Sequence, residues 1–285
     1  MNIAVIYLAW LPYGVSYLKD FLKSYSNNSS GHKHKLVFIL NGIEFSEKKM
    51  IDEFKELIHA ADIPDFEIIG FEKGQDIEIY QKVSEILHAD YFLFLNTYSQ
   101  FKKENWLKYY VQNWNEKVGL IGATGSYASY YSSIIELTKF GLKYAPVSQK
   151  FRSMKYMIKM FMFQRNKFKR FPAPHVRTNA FFISRKIFRS LEKVSVENKM
   201  QAYYFENGKS SLTMQILALG YKCLIIDKFG KSYDIPEWHK SNIFWTGNQD
   251  NLLISDNQTK KYDNSTENEK KLLRTIAWSN LNCSG

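Results

Sequence analysis

KGQDIEIYQKVSEILHADYFLFLNTYS, residues Lys73–Ser99, changes its period halfway along. Ile77–His88 reads as a helix, and Asp90–Leu95 (DYFLFL) is the most apolar strand of the chain. The strand stops abruptly at the polar tetrad Asn96-Thr97-Tyr98-Ser99. The same alternation runs upstream. Ile3–Ala9, Lys35–Leu40 and Phe66–Phe71 are apolar runs of strand length. Helical spacing falls between them, at Tyr13–Tyr25 and Glu47–Ala61. Val118–Ala123 is a fifth strand. Strands alternating with helices predict right-handed βαβ units and a parallel sheet covered on both faces. Ligands of such sheets bind outside the carboxyl ends of the strands. That directs attention to Leu8–Trp10, Asn41-Gly42, Lys73–Asp76 and Asn96–Ser99.

Further along, Ala180–Ser184 and Lys222–Asp227 read as strands, and Ser210–Leu219 and Glu267–Trp278 as helices. The expected division is 1–128 as an α/β ligand-binding half, 129–170 as a basic helical insertion, and 171–285 as an acceptor-side half and tail packed on the same sheet. A chain of 285 residues suits two domains or one large α/β domain with an appendage.

Composition excludes several classes. Hydrophobic residues at 45% and charged residues at 24% fit a folded globular chain. No apolar run approaches the roughly 18 residues of a membrane span. MNIAVIYLAW lacks the basic start of a signal peptide. Two cysteines, Cys223 and Cys283, exclude a disulfide framework and point to a reduced, cytoplasmic compartment. There is no G-x-G-x-x-G, P-loop, H-E-x-x-H or G-x-S-x-G motif.

The net charge of +11 would ordinarily suggest nucleic acid or anionic lipid. It is local, however. Leu137–Leu191 holds 14 Lys and Arg and no acid, while the remainder carries 25 basic against 28 acidic residues. Within Lys150–Arg170, Met154, Met157, Ile158, Phe161 and Met162 recur at helical spacing beside Lys155 and Lys159. A basic amphipathic helix reads as an element for an anionic membrane surface. A core-packing helix with a solvated face and nucleic-acid binding are its alternatives, and no nucleic-acid-binding module accompanies it.

The order of elements in Lys73–Ser99, with Glu206–Ile226 (ENGKSSLTMQILALGYKCLII), resembles the GT-A fold glycosyltransferases of family 2. Five stretches are similar to bacterial surface-polysaccharide glycosyltransferases, of the lipopolysaccharide and capsule kind: NTYS (96–99), GATGS (122–126), FPAPHVRTNAF (171–181), ENGKSSLT (206–213) and DNQT (256–259). The resemblance implies a nucleotide-sugar donor, a uridine one by analogy, and a glycan or lipid-linked acceptor. It also implies an Asp-x-Asp at the end of the fourth strand, holding Mn or Mg. Here the sequence reads Asn96-Thr97-Tyr98, with no carboxylate to supply the charge such a cation wants. Arg177 and Lys209 are then candidates to neutralise the diphosphate.

By the same resemblance Glu206 is the expected catalytic base, although the acidic pair of the family falls about two residues later, near Gly208-Lys209. Its alternative is a helix-start carboxylate. Asn41, Asp76, Asn96, Tyr98, Ser99, Arg177 and Asn179 are the candidate donor contacts. Asp76 is equally suited to cap a helix, and Asn41-Gly42 to make a turn. His175, Trp238, His239, Trp245 and Asp256 are the candidate acceptor contacts, the tryptophans as sugar-stacking faces. The expected activity is an inverting hexosyltransferase, peripheral at the inner face of the cytoplasmic membrane. A binding protein with a decayed donor site is the rival reading, and a basic nucleic-acid-binding protein the lesser one.

Overall fold

The computed structural model describes residues 1–144, 151, 154–155, 157–158, 162, 166–193 and 199–279. Phe161, Lys159 and Cys283 lie outside the described residues.

Eight strands form one sheet in the order β11-β10-β6-β9-β4-β1-β2-β3. They are β1 (Ile3–Trp10), β2 (Lys35–Asn41), β3 (Phe66–Phe71), β4 (Tyr91–Leu95), β6 (Val118–Gly122), β9 (Ala180–Ser184), β10 (Lys222–Ile226) and β11 (Ser232–Asp234). Short pairs complete the set: β5 (Gln100–Phe101) with β12 (Ile254–Ser255), and β7 (Gly125–Ser126) with β8 (His175–Val176). β1 pairs in parallel with both β2 and β4, β2 with β3, and β6 with β10. β9 runs antiparallel between β4 and β6. The fold is the mostly parallel α/β sheet expected from the sequence.

The period-2 rule assigns the two faces. In β1, Ala4, Ile6 and Leu8 enter one core, while Ile3, Val5, Tyr7 and Ala9 enter the other. The first core is covered by α3 (Asp76–Ile86), through Ile77, Tyr80 and Val83, and by Leu212 and Ile216 of the helix Leu212–Ala218. The second is covered by α1 (Ser16–Asn27), α2 (Lys48–Ala60) and α4 (Trp106–Asn113), through Phe21, Phe54, Ile58, Trp106 and Tyr110. Both faces of β1, β2, β4 and β6 are dry, which is why these strands read as continuous apolar runs, while the edge strand β3 is only partly buried.

Strands β1, β2 and β3 march outward to the sheet edge, and β4 then returns to the far side of β1. This reversal opens a crevice beyond Trp10 and Leu95. No helix among the described residues is long and apolar enough to cross a membrane.

Candidate active-site cleft

The polar tetrad after β4 is a turn that holds itself. The Asn96 Oδ1 accepts from the Tyr98 N–H at 3.1 Å and the Ser99 hydroxyl at 3.0 Å. Thr97, absent from the expected site, stitches the crevice shut at its base. Its hydroxyl donates to the Leu8 carbonyl at 2.8 Å and accepts the Trp10 N–H at 3.0 Å. The Tyr7 hydroxyl donates to the Thr97 carbonyl at 2.8 Å. Tyr98 packs its ring on Tyr17 and Tyr13, with centroids 4.8 and 5.7 Å away. Burial and the Tyr13 hydroxyl push the Tyr98 phenol up from its ordinary value.

Two expected donor contacts are corrected here. Ser99 is buried, and its hydroxyl is spent on Asn96 and the Asn179 carbonyl. Asn41 is fully buried, and its Nδ2 donates to the Gly74 carbonyl at 2.8 Å. It positions the loop before Asp76 instead of facing a ligand. Asn179 is buried too; its Oδ1 accepts from Thr124 at 2.9 Å, and its Nδ2 lacks a hydrogen-bond partner. Asn96 and Tyr98 stay half-buried at the crevice.

Above the turn the two halves of the chain meet. Asp76 is the first residue of α3, with Gln75 in the capping position. It is open to solvent yet walled in at longer range, as a carboxylate on a cleft floor is. Desolvation, and then the charge of Glu206, push the Asp76 carboxyl up to about 6, against the pull of its own backbone amide. Glu206 sits in the helix Lys199–Asn207, half-buried, and no hydrogen bond or ion pair engages it among the described residues. His175 is buried in β8, its Nδ1 2.9 Å from the Ala173 carbonyl. Burial lowers the His175 pKa, and Glu206 opposes that shift, so the imidazole belongs to the same electrostatic neighbourhood. Glu206 therefore lies within electrostatic reach of both Asp76 and His175, so residues from three distant stretches share one neighbourhood.

Arg177 is the main correction. Its guanidinium makes a 2.8 Å ion pair with the Asp256 Oδ2, donates to the Thr124 hydroxyl at 3.3 Å, and stacks 4.4 Å above Phe244. The charge foreseen for a diphosphate is already cancelled inside the protein. Asp256 is equally occupied: its Oδ1 caps the helix Asn257–Asp263, accepting from Gln258 and Thr259 at 3.0 and 2.9 Å. Both of its carboxylate oxygens are thus engaged within the protein. Trp238 is 0% exposed, with its indole N–H on the Tyr233 carbonyl, so no sugar stacks there. Trp245 is half-buried against Phe244, its indole N–H held by the Gln258 carbonyl at 3.0 Å. His239 is half-buried near the Tyr127 hydroxyl, and desolvation lowers its pKa. Lys209 is exposed just past Glu206.

At the end of β4 the oxygens are neutral, and the Asn96 Oδ1 already accepts two hydrogen bonds. Among the described residues no group of three or more His, Cys, Asp or Glu side chains is placed to hold a metal ion. The residues there do not fit Mn or Mg. A separate concavity of about 670 Å3 lies at the amino ends of β1 and β4, bordered by Met1, Asp90 and Arg185, away from this cleft.

No family model matches the chain, and no curated protein matches it. Solved structures do. TarS from S. aureus aligns with a TM-score of 0.33 and 13% identity, over 43% of this chain and 35% of that one. The galactosyltransferase LgtC, in complex with donor and acceptor sugar analogs, aligns with a TM-score of 0.42 and 11% identity, over 79% and 73%. The mannosyltransferase PcManGT from Pyrobaculum calidifontis, in complex with GDP-Man and Mn2+, aligns with 0.33 and 8%, over 42% and 34%. The match thus spans about a third of the TarS and PcManGT chains. The GT-A-like character of this fold rests on its own sheet, with β4 returning beside β1 and the antiparallel β9 inserted next to it.

Proposed function

We propose that the chain is a glycosyltransferase that moves a sugar from a nucleotide-sugar donor, a uridine diphosphate sugar by the sequence resemblance, to a saccharide or lipid-linked saccharide in bacterial surface polysaccharide synthesis. The observation that supports this most is Glu206, a carboxylate without hydrogen bond or ion pair among the described residues, set in the cleft with Asp76 and His175. A binding protein would have no use for an unpartnered base at that point. Glu206 accepts the proton of the acceptor hydroxyl as its oxygen attacks the anomeric carbon. The bond from that carbon to the diphosphate breaks, the leaving group keeps the electron pair, and configuration inverts. Asn96 and Tyr98 line the donor side of the crevice, and Lys209 is the cation left to meet the diphosphate.

Titration calorimetry with a uridine diphosphate sugar, with and without manganese, tests the donor site; absence of binding in both conditions defeats the enzyme reading. Glu206→Gln is expected to keep donor affinity and abolish transfer. Turnover near wild type in that variant would remove Glu206 from the role of base.

A further inference from the structure

The cleft uses little of the basic stretch. Of the 14 Lys and Arg in Leu137–Leu191, the one among the described residues that was expected at the donor is Arg177, which Asp256 neutralises. The helix Tyr130–Tyr144 opens the region, and the described residues at 151, 154, 155, 157, 158 and 162 are also helical. Met157 turns inward, onto a small core of Tyr131, Ile134 and Phe168. Phe151, Met154, Ile158 and Met162, spaced by three, four and four, are instead open to solvent. They are 69%, 42%, 50% and 65% exposed. Leu137 and Tyr144 of the neighbouring helix are half exposed as well; Lys143 and Lys155 are exposed, and Lys139, also exposed, is ion-paired with Glu136 at 2.8 Å.

We propose that this face docks on a bilayer containing anionic phospholipid. The exposed apolar side chains enter the headgroup boundary while the lysines meet lipid phosphates, the arrangement of an interfacial helix. Charge complementarity selects this occupant. A second copy meeting the same face in a two-fold dimer would set basic side chains against their own kind. Nucleic acid would be met by cations alone and leaves four large apolar side chains in water. Further along the chain, Phe168 bridges Gly208, and the Lys209 N–H donates to the Lys167 carbonyl at 3.0 Å. Docking therefore brings Glu206 near the lipid surface, where a lipid-linked acceptor would arrive; this last step rests on the proposed activity, the docking itself does not.

Co-sedimentation of the full chain with phosphatidylcholine vesicles, with and without phosphatidylglycerol, tests the surface. Binding is expected with phosphatidylglycerol only, weakening as salt rises. The triple variant Met154→Ser, Ile158→Ser, Met162→Ser changes exposed positions, keeps the fold by circular dichroism, and is expected to bind at least tenfold more weakly. Lys143→Glu with Lys155→Glu is expected to lose about 25-fold or more, since each cation near such a surface is worth about fivefold. Equal binding to both vesicles, binding to neither, or unchanged binding by both variants overturns the proposal. So does a dimer that the serine variant dissolves, or duplex DNA binding that outcompetes the vesicles. Donor titration on the same variants keeps the two readings apart: it is expected to be unchanged, and its failure in the wild type would strike the proposed activity while leaving the vesicle result standing.

Discussion

Replacing Asp256 by Asn separates two jobs that one carboxylate performs. The Oδ1 caps the helix Asn257–Asp263, and the Oδ2 holds Arg177 at 2.8 Å. Asn caps about as well as Asp, so the cap survives the substitution. The new amide group, however, turns N–H donors toward a guanidinium that can only donate. Arg177 is left charged, 10% exposed and without a counterion. Breaking one side of a buried pair costs about 3–5 kcal/mol. The Phe244 ring 4.4 Å away and the Thr124 hydroxyl remain and place the expectation at the low end, about 3 kcal/mol. For a chain of this size that lowers Tm by about 5 °C. Urea unfolding followed by tryptophan fluorescence gives the free energy directly. Asp256→Ala should cost about 1 kcal/mol more, through the lost cap. Arg177→Met combined with Asp256→Asn should recover most of the loss, because removing both charges leaves none stranded. If Asp256→Asn unfolds within about 0.5 kcal/mol of wild type while Asp256→Ala does not, the cap alone matters and the ion-pair argument fails.

Thr97→Val keeps the shape of a buried side chain but strands the Trp10 N–H and the Leu8 carbonyl. Each stranded group costs about 1–3 kcal/mol, so a loss of about 2–4 kcal/mol is expected in urea, with Thr97→Ser close to wild type. A Thr97→Val protein as stable as wild type would show that the stitch is idle. Asp76 makes stability depend on pH. Its folded pKa of about 6 lies above the unfolded 3.8, so between those values the folded state holds more protons and stability falls as pH rises. Asp76→Asn should therefore raise Tm above about pH 6 and leave it unchanged near pH 4, checked by thermal melts across that range; equal shifts at both would contradict the assignment.

The sheet was legible because its strands are dry on both faces, and IAVIYLA and DYFLFL need no partner to be recognised. The direction of AFFIS was not legible. An apolar run reports burial and says nothing of direction, and only the fold shows β9 antiparallel to both β4 and β6. The helix Tyr130–Tyr144 falls within 129–170, the stretch expected to be a basic helical insertion. Arg177 and Asp256 lie 79 positions apart in the sequence, so each looked like a free ionic group until the fold paired them. Asp256 did carry a local signal: Asp-Asn-Gln-Thr has the spacing of a capping box, and the structure uses it as one. Trp238 lies where an acceptor surface was expected, but the 3-10 helix Ile235–Lys240 turns its indole into the core. Sequence position finds the rim of a site more readily than the direction of a side chain.

With Arg177 neutralised, the described cleft residues that keep uncompensated charge are chiefly acidic, Asp76 and Glu206. A donor diphosphate entering beside them adds charge of the same sign, which raises the Asp76 pKa further above 6 and couples donor binding to uptake of a proton. Donor affinity should therefore strengthen as pH falls toward about 6 and level off below it, by up to about tenfold per pH unit at the steepest. The diphosphate of a nucleotide sugar is doubly esterified and does not titrate in this range, so the dependence belongs to the protein. Calorimetry in buffers of different ionisation enthalpy counts the proton taken up. Asp76→Asn should bind tightly at all pH values and flatten the profile, because the amide is already the uncharged form. A wild-type affinity that ignores pH, or a slope that survives Asp76→Asn, would place the diphosphate away from Asp76 and return the charge problem to Lys209 alone.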